Sequence, residues 1–352
     1  MKTGEVYMTM IERNLESSSI ENEVEKDILV EVKNLKKYFP IKGGILKRTV
    51  GQLKAVDDVS FSVRKGETLG IVGESGSGKS TLGRVMLRLL EPTEGNVVFD
   101  GVDISYLSQR KIRPKRGDMQ IVFQDPFASL NSKMSIGQLV EEPLIVQGGL
   151  SKAERAKRVI GIIRKVGLRS GDRQKYPHEF SGGQRQRISI ARALVVNPKF
   201  VICDEPVSAL DVSIQAQVLN LMKDLQEELG LTYLFIAHDL SVVKHISDRV
   251  AVMYLGRFVE LAPKHDLYAN ALHPYTRALL SSIPVIDLNE DPNHKQEKIK
   301  LEGDLPSPAN PPSGCTFRTR CPQAHDRCAA ERPELIEFEE NHFVACHLYT
   351  EE

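Results

Sequence analysis

A glycine-rich segment that follows a short apolar run restricts the fold of this chain more than any other feature. The run from Leu69 to Val72 is typical of a buried strand, and the stretch from Leu82 to Leu90 has helical character. Between them the sequence reads GESGSGKST, residues 73–81. Glycines let successive backbone N–H groups and the start of a helix point at one anion. The order strand, glycine loop, helix therefore predicts an α/β fold with a phosphate-binding loop.

Individual residues of this loop have separate expected roles. Lys79 is expected to neutralise β and γ phosphate oxygens, and Ser80 to ligate Mg²⁺. The predicted nucleotide-binding residues of the loop are Gly73, Ser75, Gly76, Ser77, Gly78, Lys79, Ser80 and Thr81. The alternative, a glycine-rich turn with a solvated lysine, does not account for the flanking strand and helix.

A second apolar strand ends in two adjacent carboxylates. Residues Phe200 to Cys203 lead directly into Asp204 and Glu205. Asp204 is expected to hold the Mg²⁺ shell, and Glu205 to orient or deprotonate the attacking water. An acidic pair in this position can equally begin a loop and cap the next helix. The pair alone leaves both interpretations open.

Length and charge set broad limits on the class of protein. The chain has 352 residues, 41% of them hydrophobic, which predicts one large and one small domain. Lys plus Arg and Asp plus Glu are equal at 47 each, so no global basic field recruits nucleic acid. No apolar stretch is long enough to span a bilayer, and the first residues lack a signal-peptide layout. We therefore expect a cytoplasmic protein without nucleic-acid partners.

The sequence pattern changes along the chain and predicts three regions. Residues 1–27 have little periodic apolar content and are expected to form a flexible tail. Residues 28–262 alternate apolar strands with helical runs, which is typical of a parallel sheet, and about 125–190 is expected to be a helical subdomain. Residues 263–352 are rich in Pro, Cys and His, which predicts a separate small domain.

A third motif carries a family resemblance. Ser181, Gly182, Gly183 and Gln184 precede the helical run Arg185 to Leu194, and the acidic pair follows closely. This order resembles the signature of ABC ATPases, in which the segment contacts the ATP of a partner subunit. A serine and two glycines at a helix start form an anion site without side-chain obstruction. A flexible Ser-Gly-Gly linker would explain the tetrapeptide but not the ordered set of motifs.

The resemblance implies roles for further residues. Gln124 resembles the glutamine that senses Mg²⁺ and water, and His238 resembles the switch histidine that holds the γ-phosphate. Asp211 resembles the aspartate of the loop that crosses to the partner subunit. For the adenine the family uses an aromatic ring, which points to Phe39, with Tyr38 as the rival.

Finer motifs narrow the resemblance to the second ATPase of oligopeptide and dipeptide importers. The ABC order covers roughly residues 28–262, and the segments from Gln124 to Asn131 and from His273 to Thr276 resemble this group. The resemblance implies an ATPase at the cytoplasmic face of the membrane, with ATP and Mg²⁺. It also implies a heterodimer with a related ATPase, two permease subunits and, indirectly, a solute-binding protein. Nickel, oligosaccharide or antimicrobial-peptide transport, or a soluble ABC ATPase, are the alternatives.

Four cysteines lie close together in the last part of the sequence. Cys315, Cys321, Cys328 and Cys346 are separated by five, six and seventeen residues. Four thiolates suit a 4Fe-4S cluster or tetrahedral zinc, and zinc sites usually have tighter pairs. Some members of the resembled group carry an iron-sulfur cluster on such cysteines, which favours the cluster over zinc. Four unligated thiols are the third possibility, and Cys203 is expected to be part of the core.

Overall fold

The computed structural model describes residues 27–43, 48–283, 299, 301 and 303–350. Apart from Asp27, the N-terminal tail predicted at residues 1–27 lies outside the described residues. The strands are β1 (Ile28–Gly43), β2 (Arg48–Arg64), β3 (Thr68–Val72), β4 (Glu94–Phe99), β5 (Val102–Asp103), β6 (Met119–Val122), β7 (Phe200–Asp204), β8 (Thr232–Ile236), β9 (Arg249–Tyr254), β10 (Arg257–Pro263), β11 (Ile336–Glu339) and β12 (His342–Val344). The α-helices are α1 (Lys79–Met86), α2 (Gln109–Ile112), α3 (Pro126–Ser129), α4 (Ile136–Gln147), α5 (Lys152–Lys165), α6 (Gly182–Leu194), α7 (Val212–Leu229), α8 (Leu240–Ile246), α9 (Lys264–Ala269), α10 (Pro274–Ser281) and α11 (Asp326–Ala330).

Two sheets form the body of the molecule. Within the described ranges, the larger sheet has the strand order β11-β12-β10-β9-β3-β8-β7-β6, parallel from β9 to β6 and antiparallel beyond β9. The smaller sheet, β2-β1-β4-β5, is antiparallel. Strands β7 and β8 are buried along their whole length, as expected for parallel strands covered on both faces. The predicted α/β class is confirmed, with a mixed sheet.

Helix α1 lies in the core that the two sheets share. Leu82 of α1 is fully buried in one apolar cluster with Val32 of β1 and Ile71 of β3. Burying apolar area is the main favourable term in folding, so this cluster fixes the helix over the end of β3. The N-terminus of α1 is thereby placed at the carboxyl edge of the parallel strands, where open α/β sheets bind their ligands.

A layer of helices follows β6. Helices α4 and α5 each begin with a capping box, made by Ser135 with Gln138 and by Ser151 with Glu154. Gly167 lies just beyond the end of α5 at φ 78°, a conformation that favours glycine. Their apolar faces pack in one buried cluster with α6, so the layer joins the body through α6.

The C-terminal part of the chain extends the large sheet. Strand β12 pairs with β10 of the body, with Val344 opposite Glu260. Phe317 is 1% exposed and lies in the same apolar cluster as Tyr254 of β9. The prediction of a separate small domain is therefore corrected, because backbone pairing and core packing join this segment to the body.

Candidate active site

The phosphate loop connects β3 to α1 through backbone conformations that need glycine. Gly78 has φ 105°, and a Cβ atom there would lie 2.0 Å from the Ala55 carbonyl oxygen. Gly73 has φ 153°, and a Cβ atom there would lie 2.1 Å from the Met253 carbonyl oxygen. A side chain at either position would collide with backbone atoms, so both positions require glycine.

Lys79 is held inside the loop. Its side chain donates hydrogen bonds to the carbonyl oxygens of Gly73, at 2.7 Å, and of Glu74, at 3.0 Å. It is 4% exposed, and burial lowers its pKa, while Glu205 and Asp204 act in the opposite direction. A dehydrated ammonium group among backbone carbonyls is well placed to meet an incoming phosphate.

Ser80 and Asp204 lie together at the end of β7. The Ser80 hydroxyl donates a 2.6 Å hydrogen bond to the Asp204 carboxylate. Burial raises the pKa of Asp204, and the Ser80 hydrogen bond and Arg84 only partly oppose this shift. A hydroxyl beside a desolvated carboxylate is an oxygen-only donor set of the kind that Mg²⁺ prefers. The residues therefore fit the predicted magnesium ion.

Glu205 lies between two other predicted catalytic residues. The Gln124 side-chain amide donates a 2.8 Å hydrogen bond to the Glu205 carboxylate, and His238 Nδ1 is 3.5 Å from the same group. Glu205 has φ 49°, an uncommon conformation for a residue other than glycine. Such backbone strain is concentrated at functional sites, where surrounding structure holds it.

A single open pocket of about 570 Å³ joins these groups. Its lining includes these predicted residues: Phe39, Ser75, Gly76, Gly78, Lys79, Ser80, Thr81, Gln124, Glu205 and His238. Gly73, Ser77 and Asp204 stand directly behind it, through their contacts with Lys79 and Ser80. Phe39 and Leu53 line the same pocket as the phosphate loop.

The structure separates the two candidates for stacking on adenine. Phe39 lines the pocket, whereas the Tyr38 hydroxyl hydrogen-bonds Asp57 and Lys54 lies 5.6 Å from the Tyr38 ring centroid. Successive side chains of a strand point to opposite faces, so only one of two neighbours can face the pocket. The assignment of Tyr38 to the nucleotide is therefore corrected.

The segment from Ser181 to Gln184 and Asp211 are not part of this pocket. Ser181 begins α6, where its hydroxyl and the Gln184 side chain form a reciprocal capping box. Ser181 and Gln184 are exposed, whereas Gly183 is buried, and a Cβ atom at Gly183 would lie only 2.4 Å from Ile214 Cγ2. Asp211 is exposed at the start of α7. The segment is a free helix N-terminus on the surface of this chain.

Two family models match the chain. Residues 56–208 match the ABC transporter model, and residues 259–328 match the C-terminal region of oligopeptide/dipeptide transporters. The oligopeptide transport ATP-binding protein AppF of Bacillus subtilis is 59% identical over 326 residues, which is 92% of this chain and 98% of that protein. A putative peptide import ATP-binding protein of Brucella ovis is 55% identical and covers 90% of this chain and 97% of its own length. The chain belongs to the ATP-binding subunits of oligopeptide ABC transporters.

Solved structures agree with this family at the level of the cassette. The ADP- and phosphate-bound dimeric cassette MJ0796 has a TM-score of 0.60 and 32% identity, and the match covers 67% of this chain and 99% of that one. The cassette cbiO1 of Clostridium perfringens has a TM-score of 0.61 and 31% identity, and the match covers 69% of this chain and 92% of that one. The protein is thus an ABC transporter ATPase.

No helix among the described residues of this ABC subunit is long and apolar enough to cross a membrane.

The four C-terminal cysteines influence one another without forming a metal site. Burial, with a smaller contribution from the thiols of Cys315, Cys321 and Cys328, raises the pKa of Cys346 to about 11. Yet within the described part of this ABC subunit no group of three or more His, Cys, Asp or Glu side chains is arranged to hold a metal ion. The thiols as placed do not fit an iron-sulfur cluster or zinc. Cys203 is fully buried in the core, as predicted.

Some residues at the nucleotide pocket of this ATPase were not identified from the sequence. Leu53 and Ala55 reach the pocket from β2, and Pro308 reaches it from the C-terminal segment. The Pro308 carbonyl oxygen accepts a 3.2 Å hydrogen bond from the Lys54 backbone N–H. The hydrophobic pattern of β2 could have indicated Leu53, but Pro308 lies far along the chain in a segment without periodicity. Only the fold brings it to the phosphate loop.

Proposed function

We propose that this subunit energises the import of oligopeptides and dipeptides by hydrolysing ATP in the pocket described above. Lys79 would bind the β- and γ-phosphates, and Ser80, Asp204 and Gln124 would hold Mg²⁺. Glu205 would orient or deprotonate the attacking water. The observation that carries the proposal is the contact of Glu205 with both Gln124 and His238 in the pocket of Lys79. His238 would contact the γ-phosphate, and Phe39 would stack on the adenine.

The second half of each ATP site is supplied by another subunit in this proposal. The segment from Ser181 to Gln184, with Ser181 and Gln184 exposed, would contact the phosphates of ATP bound to the partner, and Asp211 would lie at the same junction. Because two ATP molecules would lie between the two subunits, the dimer would close only when ATP is bound and would open after ATP is hydrolysed. The solved cassette MJ0796 is described as dimeric. We propose that the partner here is a related but distinct ATPase.

A groove beside the helical layer is the proposed contact for the permeases at the cytoplasmic face. Its volume is about 890 Å³, and Arg113, Phe123, Glu142 and Arg192 are among its lining residues. Val146, also in the lining, is 62% exposed, so an apolar side chain is available to a partner. Apolar residues with a few charges at a concave surface suit the docking of a short helix. Closure of the ATP sites would move this groove.

The cargo of the proposed importer is a peptide delivered by a solute-binding protein. Relatives of this chain are named for oligopeptide transport and for peptide import. Reconstitution with the two permeases, the second ATPase and the binding protein in liposomes tests this directly, by uptake of labelled dipeptides and oligopeptides. We expect uptake that requires ATP and is lost in a Lys79→Met variant. ATP-dependent uptake of nickel or an oligosaccharide, without peptide uptake, would assign a different cargo.

We also propose that the four C-terminal cysteines bind a structural 4Fe-4S cluster when the protein is loaded with iron. The Cys315 backbone N–H donates a 2.8 Å hydrogen bond to the Cys328 carbonyl oxygen, so two of the four cysteines are neighbours in space, which supports this proposal. The thiols would have to draw together, because they do not form a ligand set as placed. Anaerobic purification with iron, sulfide and zinc analysis is the test. A colourless protein without iron would contradict the cluster, and zinc instead of iron would replace it.

A further inference from the structure

The C-terminal segment contacts the phosphate loop at its second residue, Glu74. The Arg320 guanidinium donates two hydrogen bonds to the Glu74 carboxylate, at 2.8 and 3.1 Å. The Glu74 backbone N–H donates a 2.9 Å hydrogen bond to the Tyr275 hydroxyl. The loop is therefore attached by both its side chain and its backbone to residues more than 200 positions away.

The Arg320–Glu74 pair is shielded from solvent. The side chains are 9% and 27% exposed, so the pair is screened less by water than a surface ion pair. The hydrogen bond to Glu74 raises the pKa of Arg320, and Tyr254 adds to this shift. Two parallel hydrogen bonds between a guanidinium and a carboxylate fix orientation as well as charge.

An aromatic cluster fixes Tyr275 and the start of the Arg320 segment. The ring centroids of Tyr254 and Tyr275 are 4.8 Å apart, and each is 5.3 Å from that of Phe317. All three rings are at most 1% exposed. Tyr254 belongs to β9, Tyr275 to α10 and Phe317 to the segment before Arg320, so the cluster joins three parts of the chain. Such buried rings have little freedom to move, and the groups that touch Glu74 are held in place.

The position of Glu74 gives this attachment a consequence for ATP. Glu74 carries a negative charge in a loop that must accept a triphosphate, which carries several. An unpaired carboxylate there would repel the ligand and leave the loop backbone free to move. A carboxylate neutralised by Arg320 does neither.

We propose that Arg320 and Tyr275 are positioning residues of the ATP site, which hold Glu74 so that the phosphate loop is formed and electrically neutral at this residue before ATP binds. The C-terminal segment then contributes to the nucleotide site. This proposal rests on ATP binding by the loop and is independent of the cargo.

The affinity of the full-length subunit for ATP tests the proposal, measured by titration with a fluorescent ATP analogue. We expect Arg320→Met to weaken binding about tenfold, since it removes two charge-assisted hydrogen bonds and exposes the Glu74 charge. We expect Tyr275→Phe, which keeps the ring and removes the hydroxyl, to weaken binding about threefold. Arg318→Met is the matched control, because Arg318 lies two residues away and its side chain donates its hydrogen bonds to Ser313 instead of Glu74.

A double variant distinguishes positioning from a general loss of structure. If the unpaired Glu74 charge is responsible, Glu74→Gln added to Arg320→Met restores most of the lost affinity. A variant that is merely less folded would gain nothing from the second substitution. ATP affinity of Arg320→Met within twofold of the wild type, or the absence of rescue by Glu74→Gln, would overturn the proposal. Failure of peptide uptake alone would overturn the proposed cargo and leave this result unchanged.

Discussion

Two helix N-termini of this ABC subunit are suited to bind phosphate, and they differ in how complete they are. At α1, the phosphate loop is enclosed by the same chain, with Lys79 4% exposed and Glu74 bonded to Arg320. At α6, Ser181 is exposed, and its hydrogen-bond partner Gln184 belongs to the same helix. Folding of a single chain is enough to form the phosphate-binding loop at α1. The N-terminus of α6 presents backbone N–H groups to whatever lies opposite, which in our proposal is the other ATPase subunit.

The largest expected effect is on ATP hydrolysis, and it is compared with the effect on ATP binding in the pocket of the phosphate loop. Glu205→Gln removes the proposed base but keeps a side chain of the same shape next to Gln124 and His238. We expect turnover to fall by about 10²- to 10⁴-fold, as for loss of a general base, while ATP affinity stays close to that of the wild type. Single-turnover hydrolysis and size-exclusion chromatography with ATP are the measurements, and a trapped dimer is expected. Near-normal hydrolysis would refute the role of Glu205.

A pair of substitutions compares the two helix starts directly. Gly78→Ala forces a side chain into φ 105° and against the Ala55 carbonyl, so we expect binding of ATP by the single chain to weaken about 100-fold. Ser181→Arg adds a large side chain at an exposed position, so binding by the single chain should stay within about twofold. Only association with the second ATPase in the presence of ATP should be lost in Ser181→Arg. If both variants lose ATP binding by the single chain equally, the comparison fails.

We expect the part of the fold that holds the ATP pocket in place, at the start of α10, to become less stable in acid. His273 accepts a hydrogen bond from the Tyr275 backbone N–H, and burial lowers its pKa from 6.5 to about 4, with Glu260 opposing and Arg277 adding to the shift. Between these values the unfolded chain binds a proton that the folded chain does not, so stability is lost as the pH falls from 6.5 to 4. The loss for this group is about 3 kcal/mol.

Urea unfolding at pH 7 and pH 4.5 measures most of this loss. His273→Asn keeps an acceptor at the start of α10 but cannot take up the proton, so its unfolding free energy should change less with pH. Equal pH dependence of the variant and the wild type would show that other groups are responsible.

The smallest expected effect concerns the base end of the pocket. Phe39→Ala should weaken ATP binding about tenfold, since stacking on an aromatic ring is worth about 1–3 kcal/mol. Tyr38→Ala is the matched control and should weaken binding less than about threefold, because Tyr38 bonds Asp57 outside the pocket. Titration with ATP measures both. A larger loss for Tyr38 than for Phe39 would reverse the assignment made from the structure.

Local sequence patterns predicted the strand and loop that form the site better than they predicted where elements end and which side chains meet in space. The strand before the phosphate loop was predicted at Leu69 to Val72 and is confirmed as part of β3, because a continuous apolar run has few alternatives. The helix after the loop was predicted to Leu90, but α1 ends at Met86. Phe39 was preferred to its neighbour Tyr38 on β1 only through the family resemblance, since the sequence does not say which face of a strand meets the pocket. The four cysteines were predicted to form a metal cluster, but their spacing along the chain did not determine where the thiols lie in space.

The sequence by itself determined the phosphate loop, the acidic pair and the family, because each depends on residues that are neighbours along the chain and on the conformations that glycine permits. Only the tertiary structure decided that the C-terminal segment belongs to the ATP site. Arg320 and Glu74 are 246 residues apart, and no periodic pattern connects them. Their contact exists because β12 joins the large sheet and Phe317 enters the common core, and both are consequences of folding the whole chain.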